Sequence, residues 1–214
     1  QRMAHLVKSK TVEGAKNKWA TRWDCFFDAQ FLFRRDTGKE FVLDVAAEPQ
    51  TAKVNRFYVA PDWINEQPSG FPSLKPKHKA AQLLNPVCVG FDGLQGEWED
   101  GWWCNPPFDL KFEFLEKALE QARKGRDGMM LLPHEELTTW WLDLVEGYAT
   151  MIYKPDGRYP FYETDGHTKK QGVNFGSALV LFTEKGLQTP SMRFNRKVGR
   201  THLTGIYEQI AKVA

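Results

Sequence analysis

The chain is predicted to fold as an α/β domain with a mostly parallel central sheet flanked by helices, because two patterns agree. Short apolar runs of strand length alternate with apolar periodicities of helix length, and no internal repeat interrupts them. Two polar residues, Asp44 near the end of one apolar run and Asn105 just after another, fall at the carboxyl ends of strands, where ligands bind in such sheets.

The elements follow in order. Phe41-Val42-Leu43-Asp44-Val45-Ala46 reads as a buried parallel strand that delivers its one acid to the sheet edge. Asp24 and Asp28, in the aromatic helix before it, read as solvated charges. Five prolines from Pro61 to Pro86, with Gly70 and the cluster Lys75, Lys77, His78 and Lys79, mark a surface insertion over 61–86. Trp102-Trp103-Cys104 leads into Asn105-Pro106-Pro107-Phe108, after which Phe112, Leu115, Leu119 and Ala122 recur at helical spacing up to Gly125. Gly128 to Pro133 is a second buried strand, and Leu137, Trp140, Trp141, Leu144 and Val145 fall on one helical face. Ala149 to Tyr153 makes a further strand, 155–173 a polar hairpin region, and Ala178 to Phe182 the last strong strand. Leu203, Ile206, Tyr207, Ile210 and Val213 give a closing amphipathic helix.

With 214 residues, 42% hydrophobic and 26% charged, the chain suits a single domain over 1–214 with a full core. Eight Trp and fifteen Phe must fill that core or stack on a ligand. No apolar run approaches the roughly 20 residues of a membrane helix, and Gln1 to Lys10 lacks the apolar stretch of a secretory signal. Cys25, Cys88 and Cys104 have neither zinc nor disulfide spacing, so inert thiols in a cytoplasmic protein and no metal site are expected. A net charge of +2 does not by itself announce a nucleic-acid partner. Its distribution says more. Lys75, Lys77 and Lys79 form one basic cluster, and Arg193, Arg196, Lys197 and Arg200 a second with no acid from Ser191 to His202. Such clusters neutralise phosphates, or are simply solvated faces.

Asn105-Pro106-Pro107-Phe108 carries the chemistry. Consecutive prolines fix φ and remove N–H donors, so the loop is stiff and its carbonyls stay free of helix pairing. The Asn105 side-chain oxygen and the Pro106 carbonyl can then accept both hydrogens of an –NH2 group while Phe108 stacks on the ring that bears it. Accepting both hydrogens draws the nitrogen lone pair out of conjugation, so catalysis rests on positioning and electrostatics. Asn-Pro-Pro alone is also a common turn.

Taken together, Trp19-Ala20-Thr21, Leu43 to Ala47, Tyr58, Asp92-Gly93-Leu94, Trp103 to Phe108, Leu131-Leu132-Pro133 and Trp140-Trp141 resemble, in colinear order, the phage-type DNA adenine N6-methyltransferase (Dam-like) family. The resemblance implies a Rossmann-like methyltransferase fold, S-adenosylmethionine as cofactor and DNA as partner, with adenine flipped into the pocket. It implies that Asp44 and Ala46 border the methionine part of the cofactor, that Trp19, Ala20 and Thr21 lie across it, and that Asp92, Gly93 and Leu94 flank its adenine. Asn105 and Pro106 would hold the target N6 in the catalytic loop that Pro107 stiffens, and Phe108, where the family commonly has Tyr, would stack on the base. Tyr159 and Phe161 match an aromatic element that either walls the base or packs the core, and Lys75, Lys77, Arg193, Arg196 and Lys197 face DNA in this reading. His134, beyond a strand, is read as a satisfied polar group outside catalysis. An RNA adenine or protein glutamine amide acceptor suits the same loop, and a non-catalytic nucleic-acid-binding protein would suit the aromatics and basic clusters.

Overall fold

The computed structural model describes residues 15–60, 83, 86–184, 189–203 and 205–212. Lys75, Lys77 and nearly all of the predicted insertion lie outside the described residues. The elements are β1 (Ala20–Thr21), α1 (Trp23–Thr37), β2 (Leu43–Asp44), β3 (Arg56–Val59), β4 (Val87–Phe91), β5 (Trp102–Cys104), α2 (Lys111–Arg123), β6 (Gly128–Pro133), α3 (Thr139–Leu144), β7 (Met151–Pro155), β8 (Phe161–Tyr162), β9 (Ser177–Phe182), β10 (Ser191–Phe194) and α4 (Ile206–Ala211).

Eight strands form one sheet in the order β10-β7-β9-β6-β5-β2-β3-β4. All run the same way except β9, which lies antiparallel between β6 and β7. Every residue of β5, β6 and β9 is buried, as expected for strands covered on both faces, and this is why they read as unbroken apolar runs. Hydrophobic clusters cover both faces, one built on Phe26, Phe33, Phe57 and Trp103 and the other on Trp98, Trp102, Leu115 and Trp141.

Several expectations need correction. Ala178 to Phe182 is not the last strand, because β10 follows as a parallel edge; there Ser191 and Arg193 face solvent, so only Met192 and Phe194 carry an apolar signal. In α2 the buried face is Phe114, Leu115, Ala118, Gln121 and Ala122, leaving Phe112 43% exposed. A short 3-10 turn over Phe108–Leu110 sets that phase and turns Phe112 onto Trp140, 5.9 Å away between ring centroids. Leu137 is 99% exposed, because a turn closed by Thr138 on the Glu135 carbonyl delays the start of α3. The strand expected at Ala149 to Tyr153 occupies Met151–Pro155 instead. Within 155–173, β8 pairs with β1, Ala20 opposite Tyr162 and Thr21 opposite Phe161, in a separate two-stranded sheet.

Asp28 is not a solvated charge. It is fully buried in α1, and its carboxylate accepts hydrogen bonds from the Tyr159 hydroxyl and from the N–H groups of Lys197 and Gly199, both at 2.8 Å. Lys197 adopts φ 73°, and a Cβ on Gly199 would stand 2.0 Å from the Phe27 carbonyl oxygen, so the backbone itself presses against α1 here. Burial raises the Asp28 pKa, and its three donors oppose that rise. Asp28→Ala strips a buried acceptor from three donors and is expected to cost about 3 kcal/mol of stability, measured by urea unfolding. A cost below about 1 kcal/mol would show that the donors find other partners.

Candidate active site

Because the strands are parallel, Asp44, Val59, Asp92 and Asn105 all arrive at one edge of the sheet. There they border a cavity of about 450 Å³. Trp19, Ala20, Thr21, Asp44, Ala46, Asp92 and Gly93 all line it, together with Asn105 and Pro107. Leu94 does not; it packs toward the core, and its N–H closes a turn on the Asp92 carboxylate at 3.0 Å.

Asp44 is 2% exposed, and its carboxylate accepts the Ala46 N–H at 3.3 Å and the Lys53 N–H at 3.0 Å. Burial pushes it up to about 6. Lys53 also lines the cavity and is 1% exposed; its ammonium donates to the Thr51 carbonyl at 2.7 Å and stands 4.6 Å over the Trp23 ring. Burial pushes it down to about 8, against the pull of Asp44. Nothing local marked this lysine, since one cation in a connecting segment reads as solvated.

Asp92 has φ 64°, a left-handed conformation that Asp tolerates better than most residues. Its N–H donates to the Val59 carbonyl at 2.7 Å, which ties the turn to β3. Gly93 lies against Val45, and the Trp98 indole N–H holds its carbonyl at 2.7 Å. Strain and close backbone approach thus form one wall of the cavity.

The Asn105 amide N–H donates to the Trp19 carbonyl at 3.0 Å. That bond fixes the side chain by its donor end and leaves the oxygen as an acceptor. Asn105, Pro106 and Phe108 border a second, much smaller cavity of about 10 Å³, shared with Phe161, Phe175 and Ser177. Trp19, Phe108, Phe161 and Phe175 form a quartet, with centroids from 5.4 Å for Phe108 and Phe175 to 6.4 Å for Trp19 and Phe175. An adenine enters only if these rings part. The pairing of β1 with β8 is what carries Phe161 to Trp19. Phe175, just before β9, escaped the sequence reading because a single aromatic beside Gly176 resembles any loop residue.

The other expected contacts divide. Tyr159 is 2% exposed and tied to Asp28, so it packs the core and does not wall a base. Arg193 and the Lys197 side chain are exposed, whereas the Arg196 guanidinium is held by Asp156 at 2.8 Å and by the Arg158 carbonyl at 2.7 Å. His134 lies beside Trp141, 5.4 Å between ring centroids, and 3.0 Å from the Glu136 carboxylate. Cys25 and Cys104 are buried and Cys88 half-buried, all as free thiols, and burial pushes Cys25 and Cys104 well up. Among the described residues no cluster of His, Cys, Asp and Glu could hold a metal, and no helix is long and apolar enough to cross a membrane.

The larger cavity has features that fit S-adenosylmethionine: a buried carboxylate for its cationic end, and the Thr21 hydroxyl, buried without a hydrogen-bond partner among the described residues.

A family model described as DNA N-6-adenine-methyltransferase (Dam) matches residues 80–206. The DNA N-6-adenine-methyltransferase of Haemophilus phage HP1 (strain HP1c1) is 24% identical over 182 residues, covering 84% of this chain and 86% of that protein. That of Escherichia phage T1 is 26% identical over 126 residues, 49% of this chain and 53% of that protein. A Listeria monocytogenes structure, provisionally described as a class I S-adenosylmethionine-dependent methyltransferase, superposes on 91% of this chain and 72% of its own at 12% identity and a TM-score of 0.44.

Proposed function

The chain belongs to the DNA N-6-adenine-methyltransferase (Dam) family, and on that premise we propose how its residues methylate the N6 amine of adenine in DNA with S-adenosylmethionine as cofactor. The observation that carries the assignment of roles is that two cavities meet at Asn105, a larger one suited to the cofactor and a smaller, ring-lined one suited to a base.

S-adenosylmethionine, when bound, supplies an electrophilic methyl group. The protein's part is to bind and aim the acceptor. Asp44 would take the cationic methionine end, with Ala46 beside it, Trp19 to Thr21 across it, and Asp92 and Gly93 bordering its adenine. The target adenine is turned out of the duplex, at a cost of a few kcal/mol that stacking on Phe108 and Phe161 offsets. Asn105 Oδ1 and the Pro106 carbonyl would then accept the two N6 hydrogens, which frees the lone pair for the methyl carbon; as the nitrogen–carbon bond forms the methyl–sulfur bond would break, with S-adenosylhomocysteine leaving and one N6 proton lost to solvent. Pro107 keeps the loop rigid, and exposed Arg193 and Lys197 neutralise phosphates. With DNA as its substrate, the protein acts in the cytoplasm of the cell that holds that DNA.

Incubation with radiolabelled S-adenosylmethionine and unmethylated duplex DNA, with RNA and protein as parallel acceptors, tests this. Label in N6-methyladenine from DNA is expected; label only in RNA or protein, or in nothing, would overturn it.

The pH dependence of cofactor binding tests the role of Asp44. The bound cation lowers the carboxyl's pKa, so below about 6 the free protein carries a proton that the complex lacks, and affinity falls as pH falls. Lys53, titrating near 8, stays charged through that window. Affinity is expected to fall about tenfold from about pH 7 to about pH 5, by calorimetry, and Asp44→Asn should flatten the profile.

A further inference from the structure

Ser177 begins β9, opposite Pro133 on β6, and is 3% exposed. Its hydroxyl oxygen is buried without a hydrogen-bond partner among the described residues. A buried hydroxyl with no partner destabilises a fold, so native proteins seldom keep one unless a water or ligand completes it. Ser177 borders the smaller cavity, beside Asn105, Pro106, Phe108, Phe161 and Phe175. Around it the Phe108, Phe161 and Phe175 rings supply faces and the Asn105 and Pro106 oxygens supply acceptors; one Asn105 amide N–H goes to Trp19, prolines have no N–H, and Lys111, which also borders the cavity, holds its ammonium over the Phe112 and Trp140 rings, at 5.1 and 5.0 Å from their centroids. The cavity therefore has acceptors for an amino group, rings for a base and, in the Ser177 O–H, a buried donor without a partner among the described residues.

An aminopurine needs that complement. Once both N6 hydrogens are donated, what remains on the adenine edges is ring nitrogens, which only accept. We infer that the Ser177 hydroxyl donates to a ring nitrogen of the adenine turned into this cavity, making Ser177 a specificity-determining residue of the transfer. The inference rests on the smaller cavity being the base site. It also explains why an unsatisfied hydroxyl is tolerated there: the fold bears the cost in the free protein, and the substrate relieves it.

Two readouts of Ser177→Ala should move in opposite directions. Removing an orphaned hydroxyl should raise the melting temperature by about 2–4 °C, while kcat/KM on duplex DNA should fall about tenfold, the scale of one neutral hydrogen bond lost to a ligand. DNA carrying 1-deaza-, 3-deaza- or 7-deazaadenine at the target identifies the nitrogen. The wild type should lose about tenfold on one of them, and Ser177→Ala should lose nothing further on that same substrate. Losses that add on every analogue, or an unchanged kcat/KM in Ser177→Ala, would overturn the inference and assign the hydroxyl to a resident water. Failure of the wild type to label DNA at all would instead remove the base-site reading beneath it.

Discussion

Asn105→Ala is expected to lower methyl transfer about 10³-fold while S-adenosylmethionine affinity changes only a fewfold. The acceptor at Oδ1 matters most as the N6 lone pair is drawn out of conjugation, so its loss falls on the transition state. A small loss of cofactor affinity does follow, because Asn105 also borders the larger cavity and fastens Trp19 across it through the 3.0 Å bond to the Trp19 carbonyl. Asn105→Asp separates the two effects: it keeps an acceptor and loses the donor, so it should retain more rate than alanine. Single-turnover rates set beside calorimetric affinities would decide. Equal losses in both would mean that the loop serves only the cofactor cavity.

Gly93→Ala is expected to have the largest effect on the cofactor cavity itself. A Cβ there would stand 2.0 Å from the Val45 carbonyl oxygen, and backbone cannot swing aside as a side chain can. Relief requires the turn after β4 to move away from the end of β2, yet the Val59 carbonyl and the Trp98 indole hold that turn on both sides. The expected cost is about 3 kcal/mol, at the upper end for overpacking, which lowers the melting temperature by roughly 10 °C for a chain of this size. Cofactor affinity should fall well beyond that of Asn105→Ala. A variant with the wild-type melting temperature and affinity would show that this wall yields easily.

Much of this was legible because it is local. Gly128 to Pro133 is a strand with the expected bounds, since continuous burial leaves a continuous apolar run. Asp44 and Asn105 announced themselves as polar residues near or just past the ends of such runs. What stayed hidden depends on residues distant in sequence. Nothing near Asp28 distinguishes it from Asp24, because its partners lie 131 to 171 positions away. β10 was masked by its arginine and serine, which an edge strand can turn to solvent. Lys53 and Ser177 look like ordinary polar residues until the cavities they border are known. On α2, Leu115, Leu119 and Ala122 do face the core as their spacing implied, and only Phe112 was misplaced, because it sits just after the 3-10 turn and lies on Trp140 instead.

The bonds between Asp28 and the backbone of Lys197 and Gly199 also bear on how the protein is made. At roughly 5–20 residues per second on the ribosome, the 169 and 171 positions between donor and acceptor correspond to roughly ten to thirty seconds of translation. During that interval the aromatic helix α1 has emerged with a carboxylate whose observed donors, on Tyr159, Lys197 and Gly199, all come later in the chain. The nascent chain must keep Phe26, Phe27 and Phe33 from wrong partners until residue 199 arrives. Truncations or stalls upstream of that point should therefore yield an amino-terminal segment that depends on chaperones.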